Sequence, residues 1–220
     1  MKLFEPIKVG HIEIRNRIVM PGMETNLGDD KGNVSDQTIE YYKHRAKGGT
    51  GLIIIEGIYF DTIGRGTLNM LSVDNNKKIS GFKKLTDTIK AQGANVIGQL
   101  YHAGIQSTSF MTGEQIVGPS AIPSKLTGVM PVPMTKKMIN KVIKNYAIAS
   151  KRLQKAGFDG VEVHEGHGYL LNQFFSELYN KRTDEYGGSL ENRTRLAVEV
   201  LHSIRIKCGK DFIIGYQINC

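Results

Sequence analysis

The sequence predicts an α/β fold, a (β/α) barrel present in part, and three observations predict it. Short apolar runs alternate with helical segments along the whole chain, the pattern of a parallel sheet with helices packed outside it. One run, Gly51-Leu52-Ile53-Ile54-Ile55-Glu56-Gly57, is unbroken, as in a strand buried on both faces. The turn after the first strand, Pro21-Gly22-Met23-Glu24-Thr25, lacks the G-x-G-x-x-G spacing that a doubly wound nucleotide-binding sheet carries there. The barrel is the architecture that remains.

The elements follow in order. Ile7-Lys8-Val9 and Ile12-Glu13-Ile14 flank Gly10-His11 and predict a hairpin across the bottom of the barrel. Strands are predicted over 17–20, 51–57, 95–100, 160–164 and 211–218. Helices are predicted over 35–47, 79–92, 135–156 and 189–208, the first opening on Ser35-Asp36 and the last three stopping before Gly93, Gly157 and Gly209. The segment 105–134, rich in Gly, Pro and Ser, reads as one long loop, and loops of that length are usually functional or disordered. A closed barrel needs eight strands and about 250 residues. Five strands in 220 residues therefore predict one partial-barrel domain over 1–220, ending on a strand.

Composition narrows the class. Hydrophobic residues at 40% and charged residues at 23% are ordinary for a soluble globular chain. There is no apolar run of about 18 residues, the length of a membrane helix, and no signal-peptide core near Met1, so a cytoplasmic protein without a membrane partner is expected. Cys208 and Cys220 form neither a disulfide framework nor a metal-binding spacing. The net charge of +8 comes from scattered lysines without an aromatic platform, which argues against nucleic acid and is compatible with a phosphate-bearing cofactor or substrate.

In a barrel the chemistry sits at the C-terminal ends of the strands. Those ends hold Pro21 to Thr25, then Glu56-Gly57, then Gln99, Tyr101 and His102, then His164, His167 and Tyr169. Polar groups at four consecutive strand ends converge on one mouth. His164 and His167 could ligate zinc with a third group, although no His-x-His or acidic ligand pattern accompanies them. They could equally be hydrogen-bonded core histidines, or two imidazoles donating to an anionic or carbonyl oxygen. Tyr169 is either packing or a phenol able to give a proton.

The run from Gly157 to Phe174, Gly-Phe-Asp-Gly-Val-Glu-Val-His-Glu-Gly-His-Gly-Tyr-Leu-Leu-Asn-Gln-Phe, resembles the signature of the Old Yellow Enzyme family. The same holds for Asn180-Lys181-Arg182-Thr183-Asp184-Glu185-Tyr186-Gly187-Gly188-Ser189-Leu190-Glu191-Asn192-Arg193, for Leu3-Phe4-Glu5-Pro6-Ile7, for Asn16 to Pro21, and for Gly98 to Gly104. The resemblance spans nearly the whole chain. It is closest to the NADH:flavin oxidoreductase and 2,4-dienoyl-CoA reductase branch.

The resemblance implies a barrel of the FMN-linked oxidoreductase type that reduces activated C=C bonds of α,β-unsaturated carbonyl compounds. NADH or NADPH would be the hydride donor, and a small unsaturated carbonyl or acyl-CoA the substrate. Pro21, Gly22, Met23, Glu24, Thr25, Gly57, Gln99 and Gln217 would face the flavin. His164 and His167 would bind the carbonyl oxygen, and Tyr169 would protonate the α-carbon. No metal is implied.

Three departures stand out. Glu24 occupies the position after the Pro-x-Met element, where a carboxylate would oppose a negative reduced ring. Gln217 stands where the family usually places an arginine, so only a neutral amide meets that edge. The last strands, which would hold the phosphate, are not among these residues. A different class of reading is a non-catalytic remnant of a flavin-binding barrel that forms homo-oligomers through its open strand edge.

Overall fold

The computed structural model describes residues 1–219; Cys220, one of the two cysteines noted above, lies outside them. The elements in chain order are β1 (Ile7–Val9), β2 (Ile12–Ile14), β3 (Val19–Met20), α1 (Asp36–Lys47), β4 (Leu52–Tyr59), α2 (Ile79–Lys90), β5 (Asn95–Tyr101), α3 (Ser109–Thr112), β6 (Val117–Gly118), β7 (Val132–Pro133), α4 (Lys136–Lys155), β8 (Gly160–His164), α5 (Leu170–Phe175), α6 (Leu190–Cys208) and β9 (Ile213–Gln217). The main sheet is parallel, in the order β3-β4-β5-β8-β9. Spatial order follows chain order, as in a partial (β/α) barrel, and the predicted fold class holds. The hairpin β1-β2 is present over the predicted residues, with Ile7 opposite Ile14.

Period-two alternation decides which side chains face the helices and which face the barrel axis. Ile53, Ile55 and Ile58 of β4, Val96 and Leu100 of β5, and Val161 and Val163 of β8 are fully buried in one cluster with Tyr42, Leu85, Tyr146 and Leu153 from the helix layer. Gln99, Glu162 and Gln217 lie on the other face, where Gln99 donates to both of the others. Three of the long helices, α1, α4 and α6, open on side-chain caps. The side chains of Ser35, Thr135 and Ser189 accept from the backbone N–H groups of Thr38, Met138 and Asn192.

The structure departs from expectation in three places. The first strand is shorter than 17–20, because the Arg17 N–H donates to Leu3 O at 2.9 Å and the Ile18 N–H to Asn16 Oδ1 at 3.0 Å. The segment 105–134 is not one structureless loop. It contains α3 and the parallel pair β6-β7, and Arg182 pins it by donating to Pro119 O at 3.1 Å and Met134 O at 2.6 Å. The short helix α5 follows the His164–Tyr169 segment, where the sequence pattern predicts none. Among the described residues no helix is long and apolar enough to cross a membrane.

Candidate active site

The first wall of the mouth is the strap Pro21 to Thr25, and a β-bulge in β4 fixes it. The β4-β5 register slips between Ile55 and Gly57, leaving Glu56 as the extra residue. The freed Glu56 N–H donates to the Tyr42 hydroxyl at 3.1 Å. That hydroxyl donates in turn to Glu56 Oε2 at 3.1 Å, and the Thr25 N–H donates to the same oxygen at 3.1 Å. A buried carboxylate thus ties the strap to α1. Its other oxygen, Oε1, is buried with no partner among the described residues. Burial raises the Glu56 carboxyl above its ordinary range, and the bonds from Thr25 and Tyr42 oppose the rise only in part.

Glu24 keeps an exposed surface, yet its carboxyl is pushed up to about 8, first by lost hydration against the wall and then by the negative charge of Glu56. Between about pH 4.5 and 8 the folded chain therefore holds a proton at Glu24 that the unfolded chain has released, and stability falls as pH rises through that window. A Glu24→Gln chain is expected to melt above the unaltered chain beyond about pH 8, the two curves converging near pH 4. Thermal melts across this range check it, and a difference independent of pH would count against the assignment.

The floor is a row of amides on β5 and β9. Gln99, 3% exposed, donates through Nε2 to Glu162 Oε1 at 2.7 Å and to Gln217 Oε1 at 2.9 Å. Glu162 Oε1 accepts from Gln99 and so orients that amide, and Gln99, by donating also to Gln217 Oε1, orients the second. Gln99 is left with an acceptor oxygen, and Gln217 with donor N–H groups. Gly22 crosses directly over Gln99, where a Cβ would lie 2.9 Å from Nε2. Gly57 is buried on the same face, but the close approach that excludes a side chain there comes from within the protein. A Cβ at Gly57 would lie 2.8 Å from Met70 Cε and 3.4 Å from Tyr101.

The second wall is aromatic. The ring centroids of Tyr101 and Tyr169 are 4.4 Å apart, those of His164 and Tyr169 5.0 Å, and those of His164 and His167 5.1 Å, all edge to face. The Gly166 N–H donates to His164 Nδ1 at 3.0 Å, so the neutral imidazole carries its hydrogen on Nε2. That nitrogen faces His167 Nδ1 at 3.3 Å. Burial, then the neighbouring His167, depress the His164 imidazolium to about 4, so the ring is neutral at neutral pH. His167 is exposed and adopts a left-handed backbone at φ +60°, uncommon for a residue with a side chain. Gln106 Nε2 holds that turn by donating to His167 O at 2.7 Å. Burial and then contact with Tyr169 push the Tyr101 phenol above the ordinary tyrosine range.

Sequence reasoning grouped one residue wrongly and passed over others. His102, at the end of β5, points to the helix side rather than the mouth. It is 1% exposed, 6.1 Å from the Phe60 ring, accepts from the Gly104 N–H at 3.1 Å, and is depressed to about 4 by burial. Strand parity carries the signal, since Gln99 and Tyr101 share one face and Leu100 and His102 the other. Glu162, Tyr42 and Gln173 carry bonds at the site that no sequence motif marks. Glu165, between the two mouth histidines, is buried toward Tyr216, away from them. Among the described residues no three His, Cys, Asp or Glu side chains group as a metal site.

Comparison with known proteins places the chain in a family. The chain is 44% identical over 216 residues to a metal reductase of Desulforamulus reducens, a match covering 98% of this chain and 32% of that protein. Its structure superposes on a 2-naphthoyl-CoA reductase in complex with 2-naphthoyl-CoA with a TM-score of 0.94 at 36% identity, covering 98% of this chain and 35% of that one. It superposes on an Old Yellow Enzyme from Pichia sp. AKU4542 with a TM-score of 0.91 at 33% identity, covering 98% of this chain and 58% of that one. The chain thus spans about a third to three-fifths of these proteins. Residues 2–220 match the sequence model of one family, and the chain accordingly belongs to the NADH:flavin oxidoreductase / NADH oxidase family, the FMN-linked barrels that include Old Yellow Enzyme.

Proposed function

We propose that this chain supplies the ring-binding and substrate-activating part of an FMN-dependent reductase acting on activated C=C bonds, with NADH or NADPH as the hydride source. The observation that carries the reading is the paired amides of the floor. An acceptor at Gln99 beside donors at Gln217 complements the alternating N–H and C=O groups of a flavin's pyrimidine edge, Gln99 being oriented by Glu162 and Gln217 by Gln99. The residues present therefore fit the ring. Membership of a family of NADH:flavin oxidoreductases supports the same reading. When bound, FMN supplies the hydride chemistry, and the protein supplies placement.

The second wall then has a defined task. Hydride addition to a conjugated carbonyl builds negative charge on its oxygen. A fixed donor at that oxygen in a water-poor site is typically worth about 3–4 kcal/mol. The two imidazoles form a chain rather than two parallel donors, because His164 Nε2–H is directed at His167 Nδ1. His167 accordingly offers its own Nε2–H outward and meets the oxygen first, with His164 supporting its tautomer. Tyr169, on the same wall, is the proton donor to the α-carbon. The substrate class is a small α,β-unsaturated carbonyl compound or acyl-CoA; the 2-naphthoyl-CoA bound by a structural relative is one such conjugated thioester.

The test is reconstitution. The purified chain, mixed with FMN and desalted, is expected to keep flavin absorption, to bleach with NADH or NADPH, and to regain colour on adding an enone. Loss of all flavin on desalting, together with no quenching of FMN or lumiflavin fluorescence, would overturn the reading.

A further inference from the structure

The side chains of the floor meet because of strand register. Gln99 of β5 lies opposite Glu162 of β8, and Gln217 of β9 lies opposite His164, further along β8 on the same face. The two ends of an amide are nearly equal in shape and opposite in hydrogen bonding, so packing alone does not choose which end of Gln99 faces the site. The strap shows why. A Cβ at Gly22 would lie 2.9 Å from Nε2, 3.0 Å from Cδ and 3.2 Å from Oε1 of Gln99. The strap therefore crosses the flat of the amide and holds its plane, at almost the same distance from either end.

Glu162 makes the choice. Its Oε1 accepts from Gln99 Nε2 at 2.7 Å, and an ionised carboxylate has only acceptors to offer. With the amide reversed, two oxygens would oppose each other at that distance. The other hydrogen on Nε2 goes to Gln217 Oε1 at 2.9 Å, so neither hydrogen is left for a ligand. What Gln99, 3% exposed, keeps is the acceptor Oε1. The same bond turns the Gln217 amide so that its own N–H groups remain. An apolar side chain at position 162 would remove the reason for this orientation, and Gln99 would be free to turn over in its plane beneath the strap.

We propose that Glu162 is a positioning residue that sets the polarity of the floor, holding the Gln99 oxygen toward the ring so that the site selects a flat heterocycle presenting an N–H at that edge. In a flavin that group is the N3–H between two carbonyls. Glu162 acts through Gln99, and one carboxylate thereby decides the donor and acceptor order of both amides. The inference rests on the flavin reading above and deepens it by naming the residue that decides which ring edge the floor accepts.

Binding of lumiflavin and of its N3-methyl derivative, followed by quenching of their fluorescence, tests it without turnover and without a phosphate. The methyl group removes the N3 hydrogen and leaves the Gln99 oxygen unpaired, so the unaltered chain is expected to hold lumiflavin at least about tenfold more tightly. In Glu162→Leu the ratio is expected to fall to about twofold or less, since a reversed amide has no acceptor to offer N3–H. Adding Gln99→Glu to Glu162→Leu installs an acceptor with no donor end to turn, and the ratio is expected to return to about tenfold. A role in packing alone would weaken both ligands equally and leave the ratio as it was. A ratio of about one in the unaltered chain, or one still about tenfold in Glu162→Leu, would overturn the proposal and leave the flavin reading standing. NMR of lumiflavin labelled with ¹⁵N at N3 needs no variant. The N3 proton of the bound ring is expected to be protected from exchange, and a proton exchanging as it does in water would overturn the proposal. Failure of the unaltered chain to quench either ligand would overturn the flavin reading as well.

Discussion

Tyr169→Phe is expected to slow alkene reduction by about 10²–10⁴-fold, the usual span for loss of a positioned proton donor, while flavin reduction by NADH keeps its rate. The geometry isolates the hydroxyl. The Tyr169 ring is held edge-on by Tyr101 at 4.4 Å and by His164 at 5.0 Å, contacts that phenylalanine preserves. The residue also precedes α5 as its N-cap without a side-chain capping bond, so the helix start does not depend on the phenol. Tyr101, beneath it, is pushed above the ordinary tyrosine range and is a poorer acid to take its place. Stopped-flow measurement of the two half-reactions separates the effects, and equal loss in both would show that Tyr169 shapes the pocket instead of delivering a proton.

What could be read from the sequence, and what could not, divides along physical lines. The strands and long helices were legible because burial writes a period into the chain. Ile53 to Ile55 is apolar because both faces are covered, and Ile139, Val142, Tyr146 and Leu153 recur on one face of α4. The helix starts were legible at Ser35, Thr135 and Ser189 because unpaired N–H groups need a side-chain acceptor. α5 was not legible, since six residues, Leu170–Phe175, are too short to show a period. Its position depends on tertiary bonds from Gln173. The mouth was legible as a set of residue types at strand ends, but its wiring was not. That Tyr42, a core residue by periodicity, closes a ring of bonds with Glu56 depends on a one-residue bulge that leaves no mark in composition. That His164 donates to His167 depends on one backbone N–H at Gly166.

Gln173 is where the fold and the site meet, and replacing it with leucine is expected to cost the chain several kcal/mol. Its side chain is fully buried and serves three backbone groups. Oε1 accepts from the Ile105 N–H at 3.1 Å, and Nε2 donates to Ala103 O at 3.0 Å and Gly168 O at 2.7 Å. One amide therefore joins the end of β5 to the turn that carries His167 and Tyr169. Leucine fills the volume and leaves those groups buried and unpaired. At about 1–3 kcal/mol each, the loss is a large part of the roughly 5–15 kcal/mol by which a domain is stable. Gly104 makes the arrangement possible. It sits at φ +58°, and a Cβ there would fall on the Gln173 side chain, so Gly104→Ala both strains the backbone and displaces the amide. Because the two changes strike one network, the double variant is expected to lose less than the sum of the singles. Urea unfolding of the four chains measures this. Strict additivity, or a loss below about 1 kcal/mol for Gln173→Leu, would show that the three backbone groups find other partners, and the turn bearing His167 and Tyr169 would then owe its position to the Gln106 bond and the packing of Leu170 and Phe174.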